Sequence, residues 1–411
     1  MMFTLKAAAL IAMMKADQWK SRDELIELQN RRLGKLLSYA SENVPRYRGM
    51  LSSIRSVEDL SSVPMLEKEH VRDNPDALIS RKFSKSSLKR LDTSGSTGLP
   101  LSVYIDRGES IWRTAMLTHA MSEAGLRPLE RFGFVTYQKE QDQKLGFFRP
   151  VNFSMFDDEG KVLSEIRRNR ISALRSYPSV LSMLAKKNLG LGRPVRLRLV
   201  LCGAETLTAQ ARDMIADSFG SQVRNFYGAV EVGRVAWECG LGRMHILSDS
   251  MIVEAADERG NTLPHGKTGR IVVTPLFQRS MPLIRYDLGD RGSLGSNCPC
   301  GRGSDYIKSL EGRHAAMLKM RSGRLCNSLP LDIFLRHFPG VLSFRGLQKE
   351  PGQLLLRIVA SADFDEKDKG EMARRIASCF PEPMDIEVEL VSRLSGSGYK
   401  LNCVEVAKDE T

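Results

Sequence analysis

Long hydrophobic runs are missing from the start of this 411-residue chain. The longest purely apolar run there, Ala7–Met14, has eight residues, where a membrane-spanning helix needs ~20. No small-residue cleavage site follows it, since Ala16, Asp17, Gln18, Trp19 and Lys20 come next; a secretory leader is therefore not expected, and the chain reads as cytoplasmic. Cysteine is scarce and odd in number, seven in all, which argues against a disulfide framework. Cys202, Cys326, Cys379 and Cys403 sit singly among apolar neighbours and read as core or surface thiols. Internal repeats of about 20–50 residues are lacking, as are biased tracts, which excludes solenoids, fibres and a largely disordered chain. Zinc-finger spacing, a helix-turn-helix pattern and an aromatic–basic signature are also lacking, so no specific nucleic-acid partner is expected.

What is present is ordinary globular composition, 42% hydrophobic and 27% charged, in a length beyond the ~250–300 residues at which single cores stop growing. A large domain with a smaller companion follows. The net charge of +12 is unevenly placed: from Glu311 onward 15 basic residues face 15 acidic ones, so the whole excess precedes that point. A basic large domain suits an anionic ligand such as a nucleotide or a phosphate-bearing coenzyme. Leu25, Leu28, Leu33, Leu36 and Leu37 continue the first segment as an amphipathic helix. Packing on its own domain is the expected use of that face, with contact to a membrane surface or a partner as the alternative.

Residues 1–90 read mainly as helices, with a turn at Asn43–Pro45 and loops around Pro64 and Pro75. Strand patterns then appear at Arg131–Tyr137, Ile171–Tyr177, Val195–Leu201 and Val223–Phe226, with a helix over Ala209–Phe219 between the last two. This alternation predicts a largely parallel α/β sheet. After Met251 strands follow without helices, at Met251–Ala255, Arg270–Pro275 and Leu283–Tyr286, which suggests a β-rich subdomain. From about Gly312 a compact α+β region begins, with strands Gln353–Ala360 and Asp385–Leu390 flanking a helix near Lys367–Ser378. We divide the chain into 1–312, bearing the binding sites, and 313–411, a small mobile domain.

Five local signals carry chemistry. Thr93-Ser94-Gly95-Ser96-Thr97-Gly98-Leu99-Pro100 leaves backbone amides unobstructed and adds hydroxyl donors, so it can wrap phosphate oxygens or simply turn a hairpin. No Gly-Lys-Ser/Thr follows, so it is not a Walker loop. Asn225-Phe226-Tyr227-Gly228-Ala229-Val230-Glu231 puts a carboxylate just past a strand, where parallel sheets gather ligands. In Ile284-Arg285-Tyr286-Asp287-Leu288-Gly289-Asp290, Asp290 can accept two hydrogen bonds from a ribose diol, or serve a turn. Glu311-Gly312-Arg313 and Ser395-Gly396-Ser397-Gly398-Tyr399-Lys400 complete the series.

Together with the helix ending Asn43-Val44-Pro45-Arg46-Tyr47, with Ser176-Tyr177-Pro178-Ser179 and with Gly203-Ala204-Glu205, this order resembles the adenylate-forming superfamily of acyl-CoA synthetases. Within it the resemblance is to the phenylacetate–CoA ligase/CapK-like branch, from about residue 28 to 405. The resemblance implies ATP- and Mg²⁺-dependent activation of a small carboxylic acid, with transfer to CoA, a carrier thiol or an amine. It assigns Thr93–Pro100 to the β- and γ-phosphates of ATP. Gly203, Ala204, Glu205, Tyr227 and Gly228 fall to the adenine side, Glu231 to Mg²⁺ and Asp290 to the ribose. Arg313 opens the hinge beside the nucleotide, and Lys400 reaches the α-phosphate when the small domain closes. Two departures stand out. Val230 replaces the usual hydroxyl residue before Glu231, and Ala315-Ala316 replace an acidic pair at the hinge. They leave open a catalytically reduced relative that binds nucleotide or acyl ligand as an assembly or regulatory module.

Cys239 and His245, with Cys298 and Cys300, offer three thiolates and an imidazole, a set suited to tetrahedral Zn²⁺; two unrelated thiol pairs are the alternative. Some members of the resembled branch carry such a site here, and four protein ligands imply a structural role. His70, His119, His265, His314 and His337 lack a partner at recognisable spacing and are expected to be surface or satisfied core residues. Tyr137, Phe147, Phe153 and Tyr177 are candidate walls of an acyl pocket, or core.

Overall fold

In this computed structural model the described residues are 2–93, 101–136, 147–312, 317–328, 331, 334–335, 338–378, 380, 382–392, 394 and 403–406. Helix α1 (Met2–Asp17) turns into α2 (Arg22–Asn43) at Ser21, whose hydroxyl accepts from the Glu24 amide while the Glu24 carboxylate accepts from the Ser21 amide. This reciprocal cap satisfies two amides that a helix start leaves bare. Ala7 and Met14 bury α1 on its own domain, and Leu25, Leu28, Leu33, Leu36 and Leu37 of α2 are buried as the apolar spacing predicts. Among the described residues no helix is long and apolar enough to cross a membrane. Tyr47, just beyond α2, is buried with its hydroxyl donating to the Pro282 carbonyl (3.0 Å) and accepting from the Ile284 amide (3.2 Å); burial pushes its phenol up to about 12.

After α3 (Lys68–Asp73), β1 (Lys89–Asp92) and β2 (Ser102–Ile105) form an antiparallel hairpin. Then come α4 (Arg107–Glu123), β3 (Phe132–Thr136), β4 (Val151–Ser154), α5 (Glu159–Arg168) and β5 (Ala173–Ser176). They are followed by α6 (Pro178–Leu189), β6 (Leu199–Gly203), α7 (Ala209–Phe219) and β7 (Gln222–Ala229). Strands β4, β3, β5, β6 and β7 pair in parallel, as the strand–helix alternation predicts. Val195–Arg198, read as the start of a strand, instead lead into β6; Leu199 is its first paired residue.

The β-rich run supplies β8 (Gly233–Glu238), β9 (Met244–Ile246), β10 (Met251–Ala256), β11 (Gly269–Pro275), β12 (Tyr286–Gly295) and β13 (Tyr306–Gly312). These antiparallel strands join the parallel ones edge to edge in an eleven-stranded sheet of order β10-β11-β12-β13-β9-β8-β7-β6-β5-β3-β4. The predicted strand Leu283–Tyr286 is displaced. Arg285 has φ 52°, a left-handed conformation that no strand continues through, and β12 starts at Tyr286. Arg285 is buried and ion-paired with Glu254 at 3.0 Å, an arrangement that holds this backbone in place.

The remaining elements form a hairpin, β14 (Met317–Lys319) with β15 (Leu325–Asn327), and a four-stranded sheet of order β18-β17-β16-β19. That sheet holds β16 (Val341–Gln348), β17 (Gln353–Ala360), β18 (Asp385–Leu390) and β19 (Cys403–Val406), with α8 (Glu366–Ser378) crossing between β17 and β18. It packs against the large sheet's helical layer. Phe156 meets Phe334 and Phe338 edge-on, each at 5.7 Å, and Arg375 donates to the Met155 carbonyl at 3.1 Å.

Candidate functional site

The carboxyl ends of β6 and β7 gather most of the described candidates. Gly203 ends β6, and Ala204 follows at φ 69°, a conformation that costs a non-glycine residue ~1–2 kcal/mol. Glu205 is buried, and its carboxylate accepts from the Ser179 amide and the Ser179 hydroxyl, both at 2.9 Å. The motif Ser176-Tyr177-Pro178-Ser179 thereby acquires a structural meaning: Pro178 opens α6, and Ser179 in its first turn grips the loop after β6. Burial still pushes the Glu205 carboxyl up to about 7 against those two bonds.

Two tyrosine–carboxylate bonds join β7 and the turn that follows it to β12. Tyr227 on β7 donates to Asp290 Oδ2 at 2.7 Å, and Tyr286 on β12 donates to Glu231 Oε1 at 2.9 Å. Three strands, β13, β9 and β8, lie between β7 and β12 in the sheet order, so the sheet must curl sharply for these side chains to meet. The sequence reads Gly289-Asp290 as a strand end, but it lies inside β12. There the pairing with β11 shifts register, and Gly289 takes φ 74°, a bulge that glycine tolerates. Gly228 answers a different need. A Cβ there would lie 2.4 Å from the Gly233 carbonyl oxygen, so β7 and β8 approach too closely for any side chain.

Glu231 is held by its backbone as well. Arg113 donates to the Val230 carbonyl (2.7 Å) and the Glu231 carbonyl (2.6 Å), and Gln278 donates to the latter at 2.9 Å. Glu109, buried one helical turn before Arg113, accepts from Arg113 Nε at 2.9 Å and from Gln278 at 3.2 Å. Burial raises the Glu109 carboxyl, opposed by the Arg113 charge. Removing one partner of such a buried pair costs about 3–5 kcal/mol. Sequence reasoning missed this cluster, because Glu109 and Arg113 at i, i+4 spacing look like a solvated surface pair. Val230, a departure from the resembled pattern, exposes its side chain and contributes its gripped carbonyl.

Thr93 closes the base of the phosphate-loop candidate, its hydroxyl accepting from the Leu101 amide at 3.0 Å and its own amide donating to the Leu101 carbonyl at 2.8 Å. Ser94, Gly95, Ser96, Thr97 and Gly98 lie outside the described residues, as do Tyr137, Arg313, Ala315, Ala316 and Lys400. Phe153 is a core residue, whereas Phe147 is partly exposed. Of the other histidines, His265 lies 3.3 Å from Asp305, and His70 accepts from the Glu67 amide. His119 departs from expectation. It is buried with Nδ1 lacking a partner, and burial lowers it to about 4, so it sits there neutral.

A second cluster gathers Cys239, His245, Cys298 and Cys300, whose ligand atoms all lie within 4.8 Å of one another. Cys239 follows β8 in a tight turn, its amide donating to the Arg243 carbonyl at 2.9 Å. His245 comes from β9, and its Nδ1 meets Ser304 Oγ at 2.9 Å, which turns Nε2 toward Cys300 Sγ at 3.2 Å. Burial, with the Arg302 charge, lowers His245 to about 4 and keeps its imidazole neutral, the form that binds metal. Burial pushes the Cys298 thiol up to about 11. At Cys300 burial acts the same way, but hydrogen bonds from Arg302 outweigh it and the thiol falls below its usual value. Arg302 stacks on Trp19 and Trp237 at 4.4 and 4.8 Å and pairs with Glu123 at 2.8 Å. Three sulfurs and one oriented nitrogen at this separation could hold a metal ion, and the chemistry of the donor set suits Zn²⁺.

No family model matches the chain. A phenylacetate–coenzyme A ligase of Thermus thermophilus is 29% identical over 325 residues, covering 73% of this chain and 73% of its own length. Protein CapK of Staphylococcus aureus is 23% identical over 373 residues, covering 84% and 81%. Among solved structures, 2-hydroxyisobutyryl-CoA ligase in its postadenylation state with R3-HIB-AMP superposes with a TM-score of 0.65 at 19% identity, over 96% of this chain and 92% of that one. The same ligase with 2-HIB-AMP and CoA in the thioesterification state gives 0.62 at 20% identity, over 94% and 90%. These superpositions show the fold.

Proposed function

The chain belongs to the adenylate-forming superfamily, in its phenylacetate–CoA ligase/CapK-like branch, and from that premise we propose that it activates a carboxylic acid with ATP. The products of the first step are an acyl-adenylate and pyrophosphate, and CoA then takes the acyl group, as the names of the phenylacetate–coenzyme A ligase relatives suggest. The observation that carries this reading is the paired contact of Tyr227 with Asp290 and Tyr286 with Glu231. It brings the adenine, ribose and metal candidates of two separate motifs to one place.

Attack of a carboxylate oxygen on the α-phosphorus brings two anions together, so the protein's task is positioning and charge neutralisation. Asp290 would accept from the ribose hydroxyls, exchanging its bond from Tyr227, whose ring borders the adenine. The glycine- and hydroxyl-rich segment Thr93–Pro100 would donate backbone amides to the β- and γ-phosphates. Glu231 would hold Mg²⁺, which supplies neutralisation of phosphate charge when bound. Arg113, Gln278 and Glu109 keep the Glu231 backbone from shifting, so the carboxylate is aimed before substrate arrives. Arg313 and Lys400 would join on closure of the small domain. The acid arrives ionised at neutral pH, so no general base is needed.

Pyrophosphate release across a panel of carboxylic acids tests the reading; no release with any acid would leave a nucleotide-binding module instead. Within it, Glu231→Gln should raise the Mg²⁺ concentration for half-maximal activity at least ~10-fold, while the amide oxygen still accepts from Tyr286 and preserves the fold. Unchanged metal dependence would remove Glu231 from the site. The Cys/His cluster would hold a structural Zn²⁺.

A further inference from the structure

Two arginines in the large sheet have no use in the scheme above. Arg175 lies on β5 and Arg234 on β8, both half-buried. The Arg175 guanidinium sits 5.1 Å over the Phe134 ring and that of Arg234 sits 4.9 Å over the Phe226 ring. Arg175 Nη1 and Arg234 Nε are shut off from solvent with no hydrogen-bond partner. Among the described residues neither guanidinium meets a carboxylate, whereas Arg113, Arg198, Arg212, Arg270, Arg285 and Arg302 all do.

Such an arrangement is costly. A guanidinium stays protonated in proteins, and taking its N–H groups from water without an anion is unfavourable. The two also repel one another: burial lowers Arg175 to about 10, while burial and the Arg175 charge together lower Arg234 to about 9. An aromatic face returns only part of that cost and fixes the plane of each fork, yet accepts none of its in-plane N–H groups. The missing component is an acceptor with negative charge.

The surroundings say where it would sit. Phe134 pairs in register with Arg175, and Gly203 with Phe226, so these positions share one face of the sheet beside the carboxyl end of β6. Arg234 Nη1 lies 4.0 Å from where a Cβ on Gly203 would be, which places the guanidinium beside the end of β6. Gly203 opens the segment that continues through Ala204 and Glu205, so the forks stand next to the proposed nucleotide site.

We propose that Arg175 and Arg234 form an anion-binding end of the acyl site, and that the acid activated here carries a second anionic group besides the reacting carboxylate. A second carboxylate and a phosphonate or phosphate present the same planar or tetrahedral oxygens to paired forks. The inference rests on the acyl-activating reading above and narrows its substrate class.

Matched acids test it. Pyrophosphate release by the native protein is measured with glutarate against valerate, adipate against hexanoate, and 4-phosphonobutyrate against valerate. The dianions should be favoured in kcat/KM by about 100-fold or more, since a site built for a charged partner leaves it unpaired with the shorter acid. Whether glutarate or the phosphonate leads identifies the anion. Arg175→Leu and Arg234→Leu should bring the dianion-to-monoanion ratio toward one, with Arg234→Gln as the milder variant if leucine impairs folding. Preference for the monoanions, or an unchanged ratio in the variants, would overturn the proposal. Thermal melting without ATP separates the two readings. If glutarate or the phosphonate raises the native Tm but not that of Arg234→Gln, the anion site stands even where no acid releases pyrophosphate. Equal or absent shifts in both proteins, with no acid preference, would sink it.

Discussion

Lys400→Ala should lower the rate of acyl-adenylate formation by about 10²- to 10³-fold, the usual cost of deleting one donor aimed at a transition-state charge. In the sequence the lysine follows a run of serines and glycines, Ser395-Gly396-Ser397-Gly398-Tyr399, and precedes β19. That strand begins at Cys403 and pairs with β16 at the edge of the small sheet. In the function proposed above, Lys400 meets the α-phosphate only on closure of the small domain and contributes little to the open state. Folding and ATP affinity should therefore change little while the chemical step collapses. The measurements are pyrophosphate exchange with an accepted acid, and nucleotide binding by calorimetry in parallel. Native exchange in the variant would remove Lys400 from the mechanism, and a matching loss of ATP affinity would make it a binding residue.

Cys298→Ser, with Cys300→Ser beside it, should abolish one equivalent of bound zinc and lower Tm by roughly 10 °C, because binding to such sites is coupled to folding. The four donors come from two chain segments, the turn after β8 with β9 and the turn after β12, which otherwise meet through the short pairing of β9 with β13. Without the metal, the neutral thiols and imidazole must face each other with only weak hydrogen bonds between them. Elemental analysis and melting of the native protein and both variants measure the effect. Native protein purified without metal, or variants that melt like it, would show two thiol pairs and no metal centre.

Much of the architecture could be read from residue order. Apolar runs separated by helical periods gave the parallel strands, and α7 falls on Ala209–Phe219 as the pattern predicts. Boundaries failed where backbone geometry overrode composition. Leu283, Ile284 and Arg285 are β-like in type, but the buried Arg285–Glu254 pair holds a left-handed turn there. Gly289-Asp290 has turn chemistry, but it serves a bulge. Candidate site residues were legible where resemblance supplied a motif, and the cysteine set, which the structure brings together, where spacing did. Glu109, Gln278 and Tyr286 were invisible, because a buried network from α4, the loop after β11 and β12 leaves no periodic trace. Arg175 and Arg234 were hidden for a related reason: a charged residue in a strand reads as its solvated face.

The two tyrosine–carboxylate bonds turn part of an open sheet into a closed circuit. Strands β12, β13, β9, β8 and β7 are joined rung by rung through their backbones, and the side chains of Tyr227, Asp290, Tyr286 and Glu231 complete the ring. A ring cannot be opened by peeling at one edge; some member must break first, and each is coupled to all the others. Amide protons along these five strands should then be released from protection together, as a single cooperative unit. The wall of the proposed nucleotide site is part of that unit and cannot breathe alone, so passage of substrate and product is left to the loops.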